Sequence, residues 1–122
     1  QVERLQASPD SILIFEGVML FCDVLHPHFD FRVYIDTSKE TIIDRALSRD
    51  RKRLGGEAAT LEKYERRYLP GQAEYAKRHK PRDQADLIID NDDYSNPCIV
   101  TMRHASGHFT RPKLKPSTDN FN

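Results

Sequence analysis

The order of apolar and polar positions along the chain predicts alternating strands and helices. The apolar run ILIF at 12–15 is typical of a strand buried on both faces, and FRVYI at 31–35 and ADLIID at 85–90 have the same character. Between the last two, apolar residues recur at helical spacing over about 38–52 and again over about 60–80. This order of elements predicts a parallel sheet with right-handed crossovers.

Turn and cap residues set the expected limits of the helices. Thr37 and Glu40 are spaced as a capping box, which satisfies free amide donors at a helix start. The glycine pair at 55–56 is expected to end that helix, and Pro70 with Gly71 predicts a kink or a division into two helices in the next one.

Composition narrows the class of protein. The chain has 122 residues, which suits one domain with a modest core, and its 19 Lys and Arg balance 19 Asp and Glu. A formal net charge of zero gives no support to nucleic-acid or membrane-surface binding, and no apolar run approaches the roughly 18 residues of a membrane span. The N-terminus lacks the apolar core of a signal peptide, and Cys22 and Cys98 form no CxxC pair. We therefore expect a soluble, cytoplasmic protein with no nucleic-acid or membrane partner.

Polar side chains stand where the predicted strands end. Glu16, Asp36 and Asn91 each follow an apolar run, and open parallel sheets bind ligands at the carboxyl ends of their strands. Glu16 attracts most interest because an unpaired buried carboxylate is costly. It is either a ligand of Mg²⁺ at a phosphate site or a carboxylate bonded to amides of a neighbouring loop, and the strand pattern leaves both open.

An arginine-rich segment ends the first predicted helix. Arg45, Arg49 and Arg53 are one helical turn apart, Arg51 lies between them, and the glycine pair at 55–56 allows a hinge. Arginine forks of this kind bind phosphate and stabilise charge in phosphoryl transfer. The alternative is a solvated helix end, where cations suit the helix dipole, and the segment taken alone fits that alternative better.

Three segments in order resemble the uridine kinase branch of the P-loop nucleoside kinases: ILIFEGVMLF, FDFRVYIDTSKETIIDRALSRDRKR and YLPGQAEYAKRHKPRDQADLIIDN. The resemblance covers about residues 11–97. It implies an α/β P-loop NTPase fold, a three-layer α/β/α parallel sheet, of which residues 1–98 are the C-terminal part with a lid at about 49–60. Residues 99–122 are expected to form an extended or disordered tail. No GxxxxGK[ST] motif occurs in the chain; in the family that phosphate-binding loop lies upstream.

The resemblance also implies roles for individual residues. Glu16 matches the acidic residue that helps to hold Mg²⁺, and Asn91 lies in the loop that passes near the adenine of ATP. The arginines that match the helix leading into the lid, and the lid itself, are Arg45, Arg49, Arg51 and Arg53. The lid departs from the usual RG-R pattern of the family, because it reads RKRLGG.

Lys63 and Tyr64 match the substrate-binding positions of the helix after the lid. The family usually has Gln before this Tyr, where it reads the pyrimidine, and Lys63 stands there instead. A cation offers a base a different set of hydrogen bonds from an amide, so the acceptor need not be uridine.

The expected function is that of an ATP-dependent kinase. The resemblance implies a uridine or other nucleoside kinase, which transfers the γ-phosphoryl group of ATP, with Mg²⁺, to a hydroxyl of a nucleoside or similar small molecule. This chain alone is expected to be inactive. Two alternatives stay open: a pantothenate-, gluconate- or shikimate-type kinase, and a non-catalytic nucleotide-binding or interaction module. The sequence also leaves open whether the protein forms a homo-oligomer.

Overall fold

Two short strands pair in parallel and a third joins them in the opposite direction. They are β1 (Val33–Asp36), β2 (Leu87–Asp90) and β3 (Cys98–Met102), in that spatial order. β1 and β2 run parallel with Val33 opposite Leu87, which confirms the pairing expected for the strands on either side of the helices. β3, antiparallel to β2, was not predicted. The structure, a computed structural model, describes Ser8 and residues 10–103, so residues 104–122 of the expected tail lie outside it.

Helices fill the connection from β1 to β2, as a crossover between parallel strands requires. They are α1 (Lys39–Leu54), α2 (Glu57–Lys63), a π-helix (Tyr64–Tyr68), α3 (Leu69–His79) and α4 (Pro81–Gln84). A short 3₁₀-helix (His26–His28) precedes β1. No helix among the described residues is long and apolar enough to cross a membrane.

The predicted strand at 12–15 does not form. Ile12, Leu13 and Ile14 are 83%, 87% and 86% exposed, and 11–17 carries no regular secondary structure. A strand persists only when its amides and carbonyls find partners, and within the described residues no strand lies beside this segment. Glu16 therefore does not close a buried strand, and the prediction that it does is wrong.

α1 begins one residue later than the predicted capping box. The N-cap is Ser38, whose backbone is extended and whose Oγ accepts a hydrogen bond from the Thr41 amide at 3.2 Å. Glu40 consequently occupies the second helical position, where it cannot close a capping box with Thr37. At the other end the expected stop is confirmed, because Gly55 takes a left-handed φ of 91°.

The next helical segment is divided by the π-helix. α2 starts at Glu57, earlier than predicted, and the Leu69 amide bonds to the Tyr64 carbonyl five residues back. This wider turn lies immediately before Pro70, which has no N–H and whose ring would crowd the carbonyl of Arg66 in a regular α-helix. The break expected near Pro70 is thus present as a π-helix between two α-helices.

The sheet has one face packed against helices and one face open. Ile88 is 3% exposed, and its neighbour Tyr34 lines an open groove of about 540 Å³ between the sheet, α1 and α3. On the opposite face Val33 and Ile35 are 41% and 50% exposed, and Met102, opposite Leu87, is also exposed. A doubly wound sheet covers both faces, so the described residues account for only one covering layer.

An ion pair ties β1 to β2 where both strands begin. The Asp86 Oδ2 atom accepts from the Arg32 amide and Nε, both at 2.9 Å, and Oδ1 accepts from Nη2 at 3.2 Å. Burial pushes the pKa of Asp86 up, but the hydrogen bonds from Arg32 outweigh it and hold this pKa below its usual value. The pair fixes the parallel register from the strand starts onwards.

Candidate functional site

The carboxyl ends of β1 and β2 meet at a polar edge, as the sequence predicts. The Asn91 amide donates to the Asp36 carbonyl at 2.9 Å, so the loop after β2 folds back onto the end of β1. The carboxylate of Asp36 forms an ion pair with Arg82, and that of Asp90 accepts from the Asp92 amide at 2.9 Å. The carboxylates at this edge are therefore engaged within the protein.

Arg45 holds the loop after β2 in place. Its Nη2 atom donates to the carbonyls of Asn91 and Asp92 at 2.6 Å and 3.0 Å, and its guanidinium lies 5.5 Å from the ring centre of Tyr94. The Ser38 amide donates to Asp92 Oδ1 at 2.7 Å and is the main reason why the pKa of Asp92 lies below its usual value. Arg45 and Asn91 are thus brought together, whereas Arg49 and Arg53, which the sequence groups with Arg45, bind Asp50 instead.

Four side chains at the end of α1 and in the π-helix form what we call the Asp50 cluster: Arg49, Asp50, Arg53 and Tyr64. Asp50 is 4% exposed and Tyr64 7%. The Tyr64 hydroxyl donates to Asp50 Oδ2 at 2.7 Å, and Arg49 donates to both Asp50 oxygens and, at 3.2 Å, to the Tyr64 hydroxyl. Arg53 lies 3.1 Å from Asp50 Oδ1.

These contacts set the ionisation of the cluster. The hydrogen bonds from Arg49, and then that from Tyr64, hold the pKa of Asp50 far below its usual range. Burial first, and then the bond to Asp50, raises the pKa of Tyr64. The bond to Asp50 likewise raises the pKa of Arg49. At neutral pH the cluster holds a carboxylate, two guanidinium groups and a neutral phenol, with net positive charge.

That positive charge faces solvent. The side chains of Arg49 and Arg53 are 75% and 64% exposed although each touches a buried carboxylate. An open depression of about 480 Å³ lies beside them, lined by Leu47, Ser48, Arg49, Arg51 and Lys52. The Arg51 side chain is exposed and makes no hydrogen bond or ion pair with any described residue. This end of α1 can therefore receive an anion without breaking the contacts of Asp50.

Lys63 and Tyr64 differ in their surroundings although they are neighbours in sequence. Lys63 Nζ lies 5.8 Å from the ring centre of Tyr68, whereas Tyr64 belongs to the Asp50 cluster and packs edge-on against Tyr68 at 5.0 Å. Tyr64 also opens the π-helix, a feature that frequently occurs at functional sites.

Glu16 lies apart from both groups of contacts. It is exposed and makes no hydrogen bond or ion pair with the described residues. The loop that follows it is attached to α3, where the Phe21 amide donates to the Tyr75 hydroxyl at 2.8 Å. No group of three or more His, Cys, Asp or Glu side chains in the described part of the chain is arranged to hold a metal ion. A single free carboxylate still suits Mg²⁺, which keeps several waters and takes few protein ligands.

Sequence reasoning missed Asp50 and Arg82. Asp50 lies within the arginine-rich segment, and it is the residue to which Arg49 and Arg53 are bound. Its position three residues before Arg53 was an available signal for a local pair. No local signal identified Arg82, because its partner Asp36 lies on the far side of the crossover.

Comparison with known proteins gives a consistent assignment. The model of the phosphoribulokinase / uridine kinase family matches residues 2–94. Uridine kinases of Borrelia duttonii (strain Ly) and Borrelia recurrentis (strain A1) are each 30% identical over 122 residues, and that of Borrelia hermsii (strain HS1 / DAH) is 29% identical. Each alignment covers 98% of this chain and 56% of the relative, so the chain spans about half the length of the curated relatives it matches. No solved structure gives a match. Since the family model matches more than half of its residues, the chain belongs to the phosphoribulokinase / uridine kinase family.

Proposed function

We propose that the full-length protein is a nucleoside kinase that transfers the γ-phosphoryl group of ATP to a hydroxyl of its substrate, with Mg²⁺. The observation that carries the proposal is the Asp50 cluster beside the glycine pair. There the buried carboxylate of Asp50 holds Arg49 and Arg53 at the end of α1, just before Gly55 and Gly56. Most of each arginine side chain remains exposed. Cations placed in this way suit the charge that develops in phosphoryl transfer.

Arg49 is the residue to which we assign the main phosphate contact. Its Nε and Nη2 atoms are bonded to Asp50 and Tyr64, and Nη1 has no partner among the described residues. A guanidinium held on one edge keeps its free edge in a fixed direction, which reduces the entropy lost on binding a phosphate oxygen. Arg53 and Arg51 add positive charge next to it.

Glycine geometry lets this segment act as a lid. Gly55 and Gly56 have φ of 91° and 116°, and a Cβ built on either meets no atom within 4 Å. The Gly55 and Gly56 amides donate to the Arg51 carbonyl, so a change in the angle between the helices on either side would act through φ and ψ values that glycine adopts readily. Closure would bring the arginines to the phosphates and exclude water from them.

Glu16 is the residue that we propose for Mg²⁺. Its carboxylate is exposed and unpaired within the described chain, as a ligand of a phosphate-bound ion needs to be. When bound, Mg²⁺ neutralises phosphate charge and orients the phosphates. Asn91 and the loop held by Arg45 are proposed to lie beside the adenine.

The open face of the sheet supports the proposal that the remainder of the domain completes the enzyme. The apolar residues of 12–15 and the exposed face of β1 would both be covered by further strands and helices. Because the relatives extend well beyond this chain, we propose that the phosphate-binding loop belongs to that remainder, and that these 122 residues alone are inactive.

A different acceptor is the second candidate, and Lys63 favours it. Lys63 replaces the amide expected before Tyr64, and its ammonium rests over Tyr68. A cation offers three donors and no acceptor, whereas an amide pairs with both kinds of group on a base. The same chemistry on another small hydroxyl compound would use the same arginines.

The test is turnover of the full-length protein with ATP, Mg²⁺ and a panel of nucleosides, pantothenate, gluconate and shikimate. We expect a nucleoside to be phosphorylated, and Lys63→Gln to shift preference towards uridine. If only a non-nucleoside acceptor is phosphorylated, the second candidate is correct. If ATP is neither hydrolysed nor used to phosphorylate any of these compounds, the protein is a non-catalytic binding module.

A further inference from the structure

We propose that Asp50 is a positioning residue that couples the end of α1 to the π-helix, so that Arg49, Arg53 and Tyr64 move together when the glycine pair bends. Its catalytic consequence rests on the proposed kinase function. Asp50 is not expected to contact ATP or the substrate directly, because it is buried and because a carboxylate repels a phosphate. Its role is exerted through the side chains that it holds.

Both carboxylate oxygens of Asp50 are engaged. Oδ1 accepts from Arg49 Nε at 3.3 Å and forms an ion pair with Arg53 Nη2 at 3.1 Å, while Oδ2 accepts from Arg49 Nη2 at 3.1 Å and from the Tyr64 hydroxyl at 2.7 Å. Three hydrogen bonds and one further ion pair therefore hold this carboxylate. No buried side-chain nitrogen or oxygen of the described residues lacks a partner. A fully satisfied buried network of this kind selects one arrangement of its members.

The network spans the glycine turn between α1 and α2. Asp50 precedes the glycine pair and Tyr64 follows it, and the backbone link across the turn is the bond from the Gly56 amide to the Arg51 carbonyl at 2.8 Å. Gly56 has φ 116° and ψ 177°, a conformation essentially confined to glycine. The side chains of Asp50 and Tyr64 therefore bind each other across a turn whose backbone conformation depends on glycine.

The network also joins the two proposed functions of the segment. Arg49 is proposed to bind phosphate and Tyr64 to bind the substrate, and the Arg49 Nη2 atom donates to the Tyr64 hydroxyl at 3.2 Å. With Asp50 holding both, a closing motion carries the phosphate-binding and substrate-binding groups in fixed relation. Without it, Arg49 and Arg53 keep their charge but lose their common orientation.

The contact itself is tested by NMR titration of the Asp50 carboxyl carbon in the full-length protein. Tyr64→Phe removes only the hydroxyl that donates to Asp50, so we expect the pKa of Asp50 to rise towards its ordinary value. Tyr68→Phe is the matched control, because the Tyr68 hydroxyl has no hydrogen-bond partner in the described chain, and it should leave that pKa unchanged. If Tyr64→Phe leaves the Asp50 titration as in the wild type, or both variants shift it equally, the coupling is refuted.

The positioning role is tested by kinetics. We expect Asp50→Asn to lower kcat by about 10²-fold with a smaller change in KM for ATP, because a misplaced reacting group costs on that order. Asp50→Glu, which keeps the charge, should recover part of the loss. Asp44→Asn is the control: the Asp44 side chain is exposed on the same helix and has no partner among the described residues.

The outcomes separate this inference from the proposed function. Equal kcat for Asp50→Asn and Asp44→Asn would overturn the positioning role while leaving the kinase assignment intact. If Asp50→Asn fails to fold, Tyr64→Phe replaces it, with an expected fall in kcat that Tyr68→Phe does not show; no difference between these two would overturn the role. A wild-type protein without phosphoryl transfer would refute the kinase assignment, and the titration would still decide the Asp50 contact.

Discussion

Removal of the Arg49 side chain is the perturbation that best separates a phosphate-binding arginine from a solvated helix end. The two interpretations predict different losses. In the structure Arg49 is 75% exposed and its ion pair with Asp50 lies at 3.1 Å. Only the arginine end of this pair is exposed, because Asp50 is buried, so we expect loss of the pair to cost about 1 kcal/mol in the free energy of unfolding, the upper end of the range for exposed pairs. Arg49→Ala also leaves Asp50 bound to Arg53 and Tyr64, so no buried charge is stranded.

The effect on catalysis is expected to be much larger than the effect on stability. A cationic contact to the transferring phosphoryl group can be worth about 10³-fold or more in rate. We therefore expect Arg49→Ala to lower kcat by at least about 100-fold, which corresponds to about 2.7 kcal/mol in the activation barrier, with a smaller change in ATP affinity. Arg49→Lys, which keeps the charge but not the fork, should fall between Arg49→Ala and wild type.

The assay is steady-state kinetics of the full-length protein, with urea denaturation to measure the free energy of unfolding. Arg66→Ala is the matched control, because Arg66 pairs with Glu62 at 3.3 Å and both side chains are well exposed, at 81% and 64%. It should be nearly silent in both measurements. If Arg49→Ala and Arg66→Ala prove equally mild, the arginines form a solvated helix end and the reasoning is refuted.

Two further predictions concern Glu16 and Asp86. Glu16→Gln should lower turnover strongly at limiting Mg²⁺ while the circular dichroism spectrum stays unchanged; unaltered activity and Mg²⁺ dependence would exclude the metal role. Asp86→Asn should cost about 2 kcal/mol in the free energy of unfolding at neutral pH, because hydrogen bonds from Arg32 to a charged acceptor are weakened, whereas Asp83→Asn, at an exposed site, should cost little. The pKa of Asp86 is lower in the folded protein than in the unfolded chain, so this contribution is present above the unfolded pKa of about 3.9 and is lost as the pH falls through the folded value. If the difference in the free energy of unfolding between the wild type and Asp86→Asn is the same at the lowest pH as at neutral pH, the stabilisation does not come from the ionised Asp86 carboxylate.

Sequence patterns were sufficient where the determinants are local. The helix over 38–52 follows from apolar spacing, and its end follows from a glycine that takes a left-handed φ. The parallel pairing of β1 with β2 follows from the intervening helices. The N-cap of α1 is Ser38 rather than the predicted Thr37. This shift of one residue is within the uncertainty with which helix boundaries can be placed.

Non-local determinants explain what was missed. The run at 12–15 has the composition of a buried strand, but composition cannot supply a neighbour to pair with. The engagement of Arg45 with Asn91 and Asp92 depends on how the loop after β2 returns to α1. In the Asp50 cluster the residue types were visible, but the burial of one carboxylate among exposed arginines arises only when the π-helix brings Tyr64 to it.

The central claim, that the full-length protein is a nucleoside kinase, is tested most directly by following the label of ATP. The protein is incubated with Mg²⁺, a nucleoside and ATP labelled either at the γ- or at the α-phosphate, and the nucleoside products are separated. We predict that label from the γ-position, and not from the α-position, appears on the nucleoside, and that Arg49→Ala reduces its rate of appearance at least about 100-fold. Absence of labelled nucleoside monophosphate with every nucleoside tried, from a folded full-length protein, would contradict the account.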